Sequence, residues 1–268
     1  MPTVSFTEAL RREYERLFET CVVRPERAQA IETITSTLQQ NRARYEAATA
    51  RIGVPWFFAG AVHSLEADLD FTKHLHNGDP LDHRTVHVPA GRPLAGNPPF
   101  RWEESAADAL GMRGVSAQTD WSLAGTLYQL EAYNGWGYRL QHPHVLSPYL
   151  WAGCRHYQSG KYVADGTWSD TAVSKQCGAA VLLRRMVERG MIEFADRPAP
   201  PADAPPLVVR YSETLPSDPA VVARAEGLQR WLNTIPGIFV KVDGVPGPRT
   251  SDAYRKVTGS YLPGDPRG

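Results

Sequence analysis

The chain has 268 residues, of which 29 are Lys or Arg and 29 are Asp or Glu, so no net field draws it to nucleic acid or an anionic membrane. Its length buries a core without disulfide help and suits one large unit plus a small one, and no run approaches the ~18 apolar residues of a spanning helix. Three cysteines, Cys21, Cys154 and Cys177, contain no Cys-x-x-Cys, which argues against a zinc site built on thiolates. They read as buried free thiols, with a disulfide between Cys154 and Cys177 as the alternative.

The opening segment, MPTVSFTEALRREYERLF, lacks the apolar core of a leader and predicts a helix over 6–20, with Phe6, Leu10, Leu17 and Phe18 near one face. Pro25 at a first helical position opens a second helix. Its Ile31, Ile34, Leu38, Tyr45, Ala48 and Ile52 hold a helical period through about six turns. Gly53 and Pro55 break it. Over 56–71, Phe58, Val62, Leu65 and Leu69 predict an amphipathic helix, with His63, Glu66 and Asp70 on a separate stripe. A carboxyl at the end of a mostly apolar helix is desolvated, which raises its pKa and lets it donate a proton near neutral pH. The ordinary alternative for Glu66 is a surface glutamate.

From His74 to Pro99 the period changes. Residues 84–88 alternate and predict a short strand in a small β/loop lobe beside Glu66. Helices are expected over 102–109, from Asp120 or Ser122 to Tyr133, and over 174–189. Glu103 and Glu104 read as acidic residues of a first helical turn. The Pro/Ala run ADRPAPPADAPPL is extended and semi-stiff. It divides the chain into 1–196, a linker at 197–206, and 207–268.

Two further stretches carry a resemblance. Leu130 to Tyr138 reads LEAYNGWGY, and together with SLEADLDF (Ser64 to Phe71) it resembles the lysozyme superfamily, in particular its lytic transglycosylase and goose-type branches. There a helix carries the catalytic Glu and a Tyr-Asn-Gly turn lines the sugar cleft. The residue after Glu66 is Ala67, where that family carries Ser. GLQRWLNTIPGIFVKVDGVPGPRTSDAYRKVTG (Gly227 to Gly259) is similar to the peptidoglycan-binding type-1 module. In it Leu228, Trp231 and Leu232 share a helical face, and Thr250 is expected to cap a helix over 251–256.

The resemblance implies a mainly α fold: a lysozyme-like helical domain plus a small C-terminal unit of three helices. It also implies a glycosidase acting on the alternating N-acetylmuramic acid and N-acetylglucosamine strand of peptidoglycan. Cleavage needs an acid on the leaving oxygen, assigned to Glu66, and a group that activates water or meets the oxocarbenium charge. Asp79 and Asp82 are the candidates for that group, and Thr85 is a candidate to orient the water. Asp70 is a candidate to tune Glu66 as a neighbouring like charge. If no carboxylate faces Glu66, a lytic transglycosylase using Glu66 alone is the better reading.

Tyr133 and Asn134 are expected to hydrogen-bond the substrate. Trp136 and Tyr138, with Tyr149 and Trp151, offer faces for stacking sugar rings, and His63 and His76 are further substrate contacts. Two rivals remain: a zinc-dependent wall amidase or peptidase built on the five histidines between 63 and 87, and an inactive wall-binding protein. No metal or cofactor is expected, nor any nucleic-acid or membrane partner. The protein is expected to act as a monomer at the wall, reaching it by release or by export without a conventional signal peptide.

Overall fold

The computed structural model describes residues 4–164, 166–196, 209–235 and 237–268. The expected linker at 197–206 lies outside the described residues. Among those described there are eleven helices and one two-stranded hairpin, which makes the chain mainly α. None of the helices is long and apolar enough to cross a membrane.

Helix α1 spans Glu8–Glu19, with Thr7 accepting the Leu10 amide at its start, and buries Leu10, Tyr14, Leu17 and Phe18. The long helix expected from Pro25 forms as two, α2 (Pro25–Gln40) and α3 (Arg42–Thr49). Asn41 lies between them and its side-chain amide donates to Thr37 O at 2.9 Å, a local bond that competes with helix propagation.

Helix α4 (Trp56–Ala67) sits at the centre, packed against α2, α3, α6 (Leu123–Asn134) and α9 (Ala179–Glu188). It ends four residues earlier than expected. Asp68 and Leu69 take left-handed φ of 49° and 61°, at roughly 1–2 kcal/mol each, and both amides turn back onto His63 O. Asp70 therefore falls beyond the helix, bound to Thr72 and Lys73, and the expected stripe of His63, Glu66 and Asp70 does not form.

Helix α5 (Trp102–Met112) lies against α3. The short helices α7 (Gly137–Gln141) and α8 (Pro148–Trp151) follow α6, which Ser122 caps. The strand expected at 84–88 does not form, because the Val86 and His87 amides donate to the Asp79 carboxylate and not to a neighbouring strand. The hairpin lies elsewhere: β1 (Lys161–Ala164) pairs antiparallel with β2 (Thr167–Ser169), Tyr162 opposite Trp168. Helix α9 starts at Ala179, five residues later than expected. Gly178 stays extended there, pressed so close to Leu150 that a Cβ would lie 2.3 Å from Leu150 O. The three cysteines are free and buried. Cys154 neighbours Cys21, not Cys177.

The C-terminal residues gather a second apolar cluster around Leu228, Leu232, Ile238, Val240 and Leu262. Among the described residues it is built on two helices, α10 (Pro219–Asn233) and α11 (Pro248–Thr258), where three were expected for the whole unit. Gly247, not Thr250, occupies the cap of α11. Thr250 lies inside the helix and accepts from Gln229. Gln229 is fully buried and holds the Val-Asp-Gly turn from inside: its Oε1 accepts the Asp243 and Gly244 amides at 3.0 Å, and its Nε2 donates to Asp243, Val245 O and Thr250. Helix α9 touches this unit through Arg184, which donates to Val240 O, and Arg185, whose guanidinium lies 4.6 Å from the Phe239 ring centre.

Replacing Gln229 with Leu keeps the volume but strands two amide donors, each worth roughly 1–3 kcal/mol. Chemical denaturation of Q229L should show an early transition confined to the C-terminal tryptophan, Trp231, while the rest of the chain unfolds as in the wild type.

Candidate functional site

Every residue of α4 is buried except Glu66, which lies at the helix's last turn and is open to solvent. Five other parts of the chain converge around it. Tyr149, in α8, donates its phenol to Glu66 Oε1 at 3.0 Å. Arg113, just after α5, acts on Glu66 through space, Glu66 in turn acts on Tyr133 near the end of α6, and the Arg113 guanidinium lies 4.3 Å from the Tyr133 ring centre. Gln176 donates to Leu65 O at 2.8 Å, fixing the 174–178 segment against the helix. The Asn77–Asp79 turn closes from the other side, with the Cβ position of Gly78 at 4.0 Å from Glu66 O.

Glu66 is exposed at its surface, yet protein atoms crowd its carboxyl. Burial is the largest influence and raises its pKa; the Tyr149 hydrogen bond and the Arg113 charge pull the other way without cancelling it. Burial, then the Glu66 charge, pushes Tyr133 to about 12. Tyr149 stands well above an ordinary phenol for the same reasons, so both are neutral hydrogen-bonding groups at working pH. The arrangement is a protonatable carboxyl on an open face, backed by two phenols and a guanidinium.

The other sequence candidates disperse. Asp79 is 6% exposed and faces inward: His87 Nδ1 donates to it at 2.6 Å, and the Val86 and His87 amides and Asn77 donate as well. Burial alone would raise its pKa, but those bonds, His87 first, hold it below the ordinary carboxylate range. It clasps the loop. Thr85 is likewise inside the loop, donating to Pro89 O and accepting the Arg92 amide.

His63 is fully buried against Trp102 and Phe71, bonded to the Tyr45 phenol, and burial lowers its pKa to about 4. It does not reach the open face of α4. His76 holds Asp108 together with Arg92, and Asp82 is exposed near His83. Glu103 pairs with Arg44. Asn134 ends α6 and is exposed, whereas Trp136 is buried against Tyr128. Tyr138 packs with Tyr162 and Trp168 of the hairpin, and Trp151 is core.

The histidines take separate partners: His74 bonds Ser105 and His83 O, His76 bonds Asp108, and His87 bonds Asp79. Among the described residues no group of three or more His, Cys, Asp or Glu is arranged to hold an ion. Two cavities, of about 340 and 400 Å³, lie away from Glu66. One is beside Phe239 and Lys256; the other is between α1, α6 and α8 around Arg139 and Ser147.

Arg113 and Gln176 escape any reading of the sequence, and Tyr149 is legible there only as an aromatic face. Each lies tens of residues from Glu66, in a segment with no motif of its own. No known family model, curated protein or solved structure matches this chain.

Two measurements follow. Replacing Tyr149 with Phe removes a bond that favours the ionised carboxyl, so carbon-detected NMR should find Glu66 in Y149F titrating at higher pH than in the wild type. Asp79, with its depressed pKa, contributes stability above the unfolded value near 4 and loses it as the pH falls through its folded value. D79N should therefore speed hydrogen exchange at the Val86 and His87 amides at pH 7. The difference should shrink as the pH falls below about 4.

Proposed function

We propose that this protein cleaves the glycan strands of peptidoglycan, with a lysozyme-like helical fold and Glu66 as the proton donor. The observation that carries the reading is the Glu66 carboxyl. It is the single exposed residue of a buried helix, its pKa is raised by burial, and neutral Tyr149 and Tyr133 flank it. A carboxyl whose pKa is raised, on an exposed helix end, suits proton donation to a leaving glycosidic oxygen. The Ala-Tyr-Asn-Gly motif supports the same reading, because it brings Tyr133 near this carboxyl and leaves Asn134 exposed at the end of the same helix.

Of the chemical routes, the single-carboxylate one fits best. Asp79 and Thr85 are bound up within their loop, and among the described residues the charge that acts on Glu66 is Arg113. In this route the Glu66 proton passes to the glycosidic oxygen, and the bond to the anomeric carbon breaks with its electron pair leaving on that oxygen. The sugar's own primary hydroxyl then adds to the anomeric carbon and returns its proton to Glu66. The acid is regenerated and the product is an anhydrosugar end. This is the chemistry of a lytic transglycosylase, and it needs no second carboxylate, metal or cofactor.

Digestion of purified peptidoglycan followed by mass spectrometry tests the reading. Anhydro-terminated fragments are expected, and E66Q should lose turnover by at least ~100-fold. Reducing fragments heavier by one water would mean hydrolysis and call for a second base. Stem peptides released from intact glycan would overturn the glycosidase reading altogether.

Ionised Glu66 is the unfavourable form in the folded chain. Its raised pKa contributes stability below the unfolded value near 4.3 and loses it as the pH rises through the folded one. The E66Q protein should therefore gain melting temperature relative to wild type at pH 7, by more than any change seen at pH 4.

A further inference from the structure

Arg113 is the one charged group that acts on Glu66 among the described residues, and the acid chemistry has no use for it. Its positive charge stabilises ionised Glu66 and so works against a protonated donor. The side chain is exposed, held over the Tyr133 ring at 4.3 Å. Arg44 and Arg139, which also lie over aromatic rings, each hold a carboxylate as well, Arg44 with Glu103 and Arg139 with Glu131 and Glu13, whereas Arg84 and Arg255 lie over rings and donate to Gly96 O and the Tyr261 hydroxyl instead. For Arg113 no carboxylate lies within ion-pairing distance among the described residues. Its place beside the Tyr133 ring and phenol positions the guanidinium but gives it no anion, and a guanidinium is a fork shaped for a carboxylate.

Resting on the glycosidase reading, we propose that Arg113 is a specificity-determining residue that binds a carboxylate of the substrate and selects acid-bearing glycans over neutral ones. The ligand chemistry is an amino-sugar carboxylate. It is carried either by the lactyl ether of the muramic unit or by the peptide attached to it. A neutral N-acetylglucosamine polymer offers Arg113 nothing.

A guanidinium already held by an aromatic face loses little freedom when it pairs, and charge-assisted bonds of this kind are worth roughly 1.5–3 kcal/mol, or about 10- to 100-fold in affinity. The pair would form at the exposed edge of the site, so the lower part of that range is expected, with a steep loss in high salt. Tyr133 then has two duties: it faces Glu66 and it aims Arg113.

The test measures binding with the full chain carrying E66Q, so that no probe is turned over. Four probes are titrated calorimetrically: peptide-free muramic glycan, the same glycan with its carboxylates converted to methylamides, a peptide-bearing glycan fragment, and a chitin oligomer. Peptide-free glycan should bind about 10-fold tighter than its methylamide. That ratio should fall to near one when R113M is added and recover in part with R113K.

A preference that appears only with the peptide-bearing fragment would assign the carboxylate to the peptide. Equal affinity for acid and neutral probes, or a ratio unchanged by R113M, would overturn the proposal. The ratio is read within each variant, so a general loss of fold or affinity does not imitate the result. Failure of the glycosidase reading is separable: wild-type protein that yields no fragments from any glycan defeats that reading, whereas fragments released equally from acid and neutral glycans defeat only the role of Arg113.

Discussion

The burial of α4 on all sides is the constraint on which the rest of the structure depends. Four helices pack around it, and an aromatic group of Tyr45, Trp102 and Phe71 closes over His63 on one flank. A helix enclosed in this way has one place to present a polar side chain, which is its end. Two consecutive left-handed residues, Asp68 and Leu69, stop it at Ala67, and Glu66 is left in the last turn, exposed at its surface with protein crowding its carboxyl. The strain at those residues is offset by the packing of Leu69 against the core.

Two distant parts of the chain solve the same problem in the same way. An irregular loop must satisfy backbone donors that no strand or helix accepts. Beside the candidate site, the Asp79 carboxylate takes the amides of Val86 and His87. In the C-terminal unit, the Gln229 amide takes those of Asp243 and Gly244. Each residue is polar and central because it replaces a missing piece of secondary structure. Asp79 therefore resembles a catalytic carboxylate in sequence, beside a glycine and ahead of a proline, while its lone pairs face inward.

Periodicity made most helices legible, and their ends were missed where a single side chain decided them. Asn41 splits one expected helix, and Gly178 delays another because Leu150 O leaves no room for a Cβ. The His63, Glu66 and Asp70 stripe failed for a related reason. A spacing of three and four residues places side chains on one face only while the helix lasts, and here that face of His63 is covered by Trp102. The hairpin at 161–169 has short strands, too brief for an alternating pattern to announce.

By itself the sequence determined that the chain is mainly helical, that an apolar run would carry Glu66, and that a helix would end within Ala-Tyr-Asn-Gly, because these follow from local spacing and turn chemistry. Only the tertiary structure decided which carboxylate stands open and which is tied inward. It alone brought Tyr149 and Arg113, distant along the chain, to the side of Glu66. The physical reason is that burial, and with it the protonation of a carboxyl, is a property of everything packed around a residue, and no stretch of sequence around Glu66 contains those neighbours.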